Sequence, residues 1–196
     1  LGKNGAGKST LIRLLSCLSL PDSGEITINK NNYHKNNPEN YRLEVGSALH
    51  NNMLYNDLTV EENLIFFSKL YFVQNSKKKI VSLISKLELS DYLDKKIRIL
   101  SHGIKKKISI AKALLHNPSF IFFDEIESGL DKKSTNQLED IIIENKNSGA
   151  GILITSHMVH QSINICNKVI IMNQGKISKT FSDVSKINHE QIINYY

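Results

Sequence analysis

Gly2-Lys3-Asn4-Gly5-Ala6-Gly7-Lys8-Ser9, followed by Thr10, is a glycine-rich run with the spacing G-x-x-x-x-G-K-[ST]. Glycine at three of its positions lets the backbone turn tightly, so that N–H groups converge on the oxygens of an anion. Leu11, Leu14, Leu15 and Leu18 then recur at helical spacing and predict a helix over 8–18. The positive end of that helix points at the same anion. The run therefore reads as a phosphate cradle built from Gly2, Asn4, Gly5, Ala6, Gly7 and Thr10. In it Lys8 reaches the β- and γ-phosphates of a nucleotide and Ser9 holds Mg²⁺. A plain turn before a helix has the same glycines, but the leucine stripe directly behind the loop favours the cradle.

Outward from the loop, Pro21-Asp22-Ser23-Gly24 is a turn and Glu25 to Ile28 a short strand. Residues 29–40 are polar and asparagine-rich, a loop or a frayed helix. Leu43 to Leu49 is a second strand. Thr59 and Glu62 have capping-box spacing ahead of a helix from Val60 to Tyr71. Ile80, Leu83, Ile84 and Leu87 mark another amphipathic helix, and Lys105 to Leu115 a third, stopped at Asn117-Pro118. Phe120 to Phe123 is wholly apolar, as expected of a strand buried on both faces. A helix over 134–146, strands over 151–155 and 168–172, and a Gln174-Gly175 turn complete the order. This alternation predicts an α/β core with a helical block inserted near 60–116.

The chain has 196 residues and a formal charge of +6. That length suits one domain. No apolar run approaches the roughly 18–20 residues that a membrane span requires. The positive balance is read as lysines spread over solvent faces, not as a nucleic-acid surface, and no DNA or RNA partner is expected. Cys17 and Cys166 are too few for a disulfide framework, and both fall in apolar patterns expected of buried thiols.

Asp124-Glu125 ends the apolar strand, where ligands of open α/β sheets bind. Asp124 in that place acts on Mg²⁺ through water, and Glu125 polarises the attacking water as general base. Leu100-Ser101-His102-Gly103-Ile104 lies between the two motifs and resembles the signature sequence of the ATP-binding cassette (ABC) family. That family's usual form is LSGGQ followed by a basic helix; Ser101 and Gly103 match, while His102 and Ile104 depart. Ser128-Gly129-Leu130-Asp131 resembles the family's D-loop, His157 its switch histidine, and Leu58 to Leu64 its LTVxEN segment. The likeness runs over essentially the whole chain.

The resemblance implies a P-loop NTPase fold of ABC type: one ATP-binding domain over 1–196, a mixed sheet core and a helical subdomain at about 60–116. It implies an ATPase using ATP and Mg²⁺, with Glu125 and His157 catalytic. Two copies would pack head to tail, so that Ser101, Gly103 and Asp131 of one copy complete the site of the other. A separate membrane-spanning subunit would carry the cargo, placing this chain on the cytoplasmic face of the membrane. The chain opens inside a motif and reads as a fragment whose adenine-stacking residue precedes Leu1. Ile126 replaces the family's usual proline. His50 stands where the family has the Q-loop glutamine. Imidazole is a poor direct Mg²⁺ ligand, which leaves three alternatives: His50 acts through water, contacts the membrane partner, or yields to Asn51 as the amide. His50, Met53 to Thr59 and Glu61 to Leu64 further resemble the ATP-binding subunit of the haem exporter of cytochrome c maturation; drug and polysaccharide exporters of ABC-2 type share many of these pieces. A soluble ABC ATPase working on nucleic acid or ribosomes is the rival class.

Overall fold

The structure, a computed structural model, describes residues 1–28, 31–32, 38–156, 163, 165–184 and 190. Its first half runs α1 (Lys8–Leu15), β1 (Thr27–Ile28), β2 (Asn31–Asn32), α2 (Pro38–Glu44) and β3 (Val45–Ala48). The helices α3 (Val60–Leu70), α4 (Ser76–Lys86) and α5 (His102–Leu114) follow. The second half runs β4 (Phe120–Asp124), α6 (Lys132–Asn147), β5 (Gly151–Thr155), β6 (Val169–Asn173) and β7 (Lys176–Phe181).

The apolar run Phe120 to Phe123 is the middle strand of a parallel sheet in the order β3-β4-β5. Val45 pairs with Phe120 and Ala48 with Phe123, while Phe120 pairs with Gly151 and Asp124 with Thr155. Successive side chains enter opposite layers. Ile121 and Phe123 join Ala48 in a core with α3, α4, α5 and α6. Phe122 joins Val45, Ile12 of α1, Cys17 and Tyr41 on the other face. Burying one phenylalanine side chain contributes roughly 1.5–3 kcal/mol, so Phe122 and Phe123 hold both layers to one strand. The approach of α5 to β3 is close: a Cβ on Gly46 would stand 2.1 Å from the Ala113 carbonyl oxygen.

The capping box is present. Glu62 N–H donates to Thr59 Oγ1 at 3.1 Å, and Thr59 N–H donates to Glu62 Oε2 at 2.8 Å. The fully buried Asn63 amide accepts from Tyr55 N–H and donates to the Tyr55 and Thr59 carbonyls, fixing the approach to α3.

Several boundaries differ from the sequence reading. The first helix stops at Leu15 instead of Leu18, because Cys17 adopts a left-handed φ of 57°. Its N–H donates to the Leu14 carbonyl and that of Leu18 to the Arg13 carbonyl, the pattern of a Schellman ending without glycine. Cys17 is buried but lies outside the helix, and Cys166 is only half-buried. The polar stretch after residue 28 contributes β2 and α2. The helix expected from Lys105 starts at His102. The strand β7 was not anticipated; it pairs with β6 through a Gln174–Gly175 turn in which both residues have positive φ. The expectation of solvated lysines fails at Lys106, Lys107 and Lys112, all of them buried.

His116, just past α5, is half-buried and stacks on Tyr71 at 4.1 Å. Its Nε2 lies 3.2 Å from the Val45 carbonyl oxygen, and its Nδ1 is buried without a partner among the described residues. Because a carbonyl can only accept, the neutral ring carries its proton on Nε2. Burial pushes this imidazole down to about 4, partly opposed by the Val45 hydrogen bond. The unfolded chain therefore binds the proton first as pH falls, and stability declines between about pH 6.5 and pH 4. Urea unfolding is expected to show this group costing about 2 kcal/mol between pH 7 and pH 5. His116→Gln, which can still donate to Val45, should lack that component; equal pH dependence in the two proteins would refute the assignment.

Candidate functional site

The phosphate-loop residues form a connected turn ending at Gly7, whose φ of 97° makes it the left-handed N-cap of α1. A Cβ there would come 3.3 Å from the Gly175 Cα, so the loop is seated on the β6–β7 turn. Gly175 N–H donates to the Ala6 carbonyl at 3.0 Å, and Ala6 N–H to that of Lys3 at 3.1 Å. Leu1 runs beside β6: its amine donates to the Ile170 carbonyl, and Met172 N–H donates back to Leu1. Among the described residues no side chain caps α1, and Asn4, Gly5, Ser9 and Thr10 are exposed at its mouth. The first-turn N–H groups are thus available to an anion.

Lys8 is only 5% exposed. Its Nζ bends back across the loop, donating to the Gly2 carbonyl at 2.7 Å and the Lys3 carbonyl at 3.3 Å. It also lies 3.8 Å from Glu125 Oε1. A phosphate can replace these neutral acceptors with a charged one, a stronger hydrogen bond.

Asp124 is the hub. It is 4% exposed, and its Oδ1 accepts from Ser9 Oγ at 3.1 Å and from Thr155 Oγ1 at 2.6 Å. Thr155 is a site residue that the sequence reading missed; the available signal was a hydroxyl ending the strand expected beside β4. Glu125, one residue on, has a φ of 49°, outside the usual range of an L-residue. Its N–H donates to the Thr155 carbonyl at 3.0 Å, and the chain turns its carboxylate toward Lys8. Such a conformation costs of order 1–3 kcal/mol and persists only where the surroundings impose it. Lys106 of α5 helps to do so, its Nζ donating to the Glu125 carbonyl at 2.9 Å and also to the Ser128 carbonyl.

A second cluster gathers around the start of α5. Ser101 is its N-cap, accepting from Ile104 N–H at 3.4 Å, and is exposed. Gly103 lies against residues 129–130: a Cβ there would be 3.6 Å from the Gly129 carbonyl oxygen. Asp131 caps α6 by accepting from Ser134 N–H at 2.7 Å, and this hydrogen bond holds its carboxyl below the usual range. His50 is exposed and its ring centroid lies 6.2 Å from that of His102. The structure thus unites Lys8, Ser9, Asp124 and Glu125 in one group. It places Ser101, Gly103 and Asp131 in another, with His50 beside His102. His157 lies outside the described residues. Backbone N–H groups and Lys8 fit the phosphates of a nucleotide, and the Ser9 and Asp124 oxygens fit a hard divalent cation.

A profile of the family described as "ABC transporter" matches residues 1–128, and the chain belongs to that family. It is an ATPase domain of ABC type. The chain is 33% identical over 180 residues to the ABC transporter ATP-binding protein NatA of Bacillus subtilis, covering 90% of this chain and 73% of that protein. It is 32% identical over 179 residues to the linearmycin resistance ATP-binding protein LnrL of the same organism, covering 90% of this chain and 57% of that one. A solved ATP-binding subunit of an ABC transporter superposes with a TM-score of 0.86 at 30% identity, covering 93% of this chain and 76% of its own.

The two charged groups facing one another at this site should fail differently. Lys8→Ala is expected to weaken ATP binding in calorimetry. Glu125→Gln should bind ATP as the unaltered protein does, while losing hydrolysis by ~10²–10⁴-fold, the usual worth of a general base. Unchanged ATP affinity in the first, or near-normal turnover in the second, would contradict these roles.

Proposed function

We propose that this chain is the motor subunit of an ATP-driven exporter, working as a head-to-tail homodimer beneath a separate membrane-spanning subunit. The observation that carries the reading is the Ser9–Asp124–Thr155 network with Lys8 and Glu125 beside it. Lys8 and the loop N–H groups bind the β- and γ-phosphates. Ser9 and Asp124 would hold Mg²⁺, which would supply positive charge to offset that of the γ-phosphate. Glu125 takes the proton of the attacking water, and His157 contacts the γ-phosphate. Ser101, Gly103 and Asp131 serve the nucleotide held by the second copy. In this reading neither copy completes the site alone. ATP therefore favours the closed dimer, and hydrolysis releases it.

The chain is read as one ATP-binding domain over 1–196, with 60–116 as its helical subdomain. No helix among the described residues is long and apolar enough to cross a membrane, so attachment to the cytoplasmic face would come through the partner. A groove of about 750 Å³ walled by α2 and β3 on one side and by the residue 53–55 segment and the end of α3 on the other suits such a contact. Met53, Tyr55, Leu70 and Phe72 expose 50–79% of their surface along it. Clustered exposed apolar side chains of this kind mark interaction surfaces.

For the cargo, the likeness to the linearmycin resistance protein over 90% of this chain supports export of a drug-like compound, within the class of ABC-2-type drug or polysaccharide exporters. Haem is the second reading, favoured by His50 and the 53–64 segment. Neither inference rests on a residue that touches cargo, because cargo passes through the membrane subunit. Deletion in the native host tests both. Loss of compound export or resistance is expected, with c-type cytochromes still staining for haem. Restoration by the native gene but not by Glu125→Gln is also expected. Full rescue by Glu125→Gln would remove the ATPase from the mechanism, and loss of holocytochromes would assign the cargo as haem.

A further inference from the structure

From Asn63 to Leu87 the chain carries Lys69, Lys77, Lys78, Lys79 and Lys86, and no aspartate or glutamate. Two of these charges are engaged: Lys79 donates to the Asn117 side-chain oxygen, and Lys86 pairs with Glu144. Lys69, at the end of α3, and Lys77 and Lys78, in the first turn of α4, are exposed. None of the three pairs with an acidic group among the described residues. Between them the chain turns at Phe72, whose side chain is 79% exposed, more than any other large apolar one among the described residues. Its φ of 53° is unusual for so bulky a residue. The turn is hydrogen-bonded, Phe72 N–H donating to the Lys69 carbonyl at 3.1 Å and Val73 N–H to that of Ser68 at 2.9 Å, so a fixed backbone presents the ring. Phe66 and Leu70, one turn apart on the same face of α3, are also exposed.

We propose that the turn between α3 and α4 is a membrane-contact surface, seating Phe72 and Leu70 in the headgroup region of an anionic bilayer while Lys69, Lys77 and Lys78 meet the lipid phosphates. The charge calls for a polyanionic surface: each lysine near an anionic membrane is worth about fivefold in affinity, the equivalent of ~1 kcal/mol. The apolar tip selects a bilayer over a nucleic acid, because Phe and Leu gain by leaving water for the interface, as they do beside lysines on interfacial helices. Lysine stems lie along such apolar groups and keep their ammonium heads among the phosphates. The flanking carboxylates do not cancel the charge. Glu62 is in the capping box, about two turns of α3 before Lys69, and Glu88 pairs with Lys133.

Leu70 and Phe72 also border the groove assigned above to the membrane-spanning partner, whereas Lys69, Lys77 and Lys78 stand outside it. The basic surface is thus continuous with that interface. Its place in an assembled exporter rests on the proposed function; lipid binding by this chain alone does not.

The test is cosedimentation of the whole chain, without nucleotide, with vesicles of phosphatidylcholine alone or mixed with phosphatidylglycerol. Binding is expected to the mixed vesicles only, and should weaken as salt is raised. The chain has no tryptophan, so Phe72→Trp supplies a single one, whose emission should shift to the blue on the mixed vesicles. Changing Lys69→Gln, Lys77→Gln and Lys78→Gln together should weaken binding by about tenfold or more. Changing Lys132→Gln, Lys168→Gln and Lys176→Gln together removes the same charge from exposed positions elsewhere and should leave binding nearly as it was. Thermal melts verify that both triple variants keep the fold. Absence of binding to the mixed vesicles overturns the proposal, as does an unshifted tryptophan. Equal losses in the two triple variants also overturn it, by assigning the binding to the overall charge of the chain. None of these outcomes bears on the ATPase or on the membrane-spanning partner, since the vesicles hold no protein.

Discussion

A buried carboxylate held by two hydroxyls is the interaction on which the rest of this structure depends. Asp124 Oδ1 accepts from Ser9 at the start of α1 and from Thr155 at the end of β5, while Asp124 itself ends β4. Three separate pieces of chain thus meet at one oxygen. Taking a carboxylate out of water costs several kcal/mol after relaxation. Hydrogen bonds to a charged group return about 1.5–3 kcal/mol each, so two hydroxyls offset much of that cost without neutralising the charge. The remaining negative potential beside an uncapped helix start is what a cation bridging to phosphate would complete. Stability and ligand binding are in this way set by the same contact.

Around that oxygen, buried lysines act as braces more than as surface charge. Lys106 grips the Glu125 and Ser128 carbonyls from α5, and Lys107 donates to Gln137 of α6 at 3.0 Å. Lys112 donates to the Asn52 carbonyl at 3.0 Å beneath the Phe67 ring, and burial pushes it down to about 8. One helix therefore reaches the acidic turn, the helix behind it and the segment that leads to the groove.

The sequence was most legible where local chemistry decides the structure. The glycine spacing located the phosphate loop, the Thr59–Glu62 spacing located α3, and four consecutive apolar residues located the central strand. It was least legible where the deciding contact is distant. The end of α1 depends on Cys17 adopting a left-handed turn, which no glycine announces. The strand β7 alternates weakly and exists through its pairing with β6. Thr155 gains its part only from the register that sets it beside Asp124, and the burial of Lys106 follows from the packing of α5 on the acidic turn. His50 and His102 were each legible as a departure from a family pattern, but their proximity became visible only in three dimensions.

The central claim, that Asp124 couples the loop to a divalent cation, is tested most directly by Asp124→Asn. The amide oxygen can still accept from Ser9 and Thr155, so the fold is preserved while the charge is removed. ATP affinity is then measured with and without Mg²⁺ by calorimetry. The account predicts that Mg²⁺ tightens ATP binding to the unaltered chain and gives little or no tightening in the variant, while ATP alone binds both comparably. An undiminished Mg²⁺ effect in Asp124→Asn would contradict it.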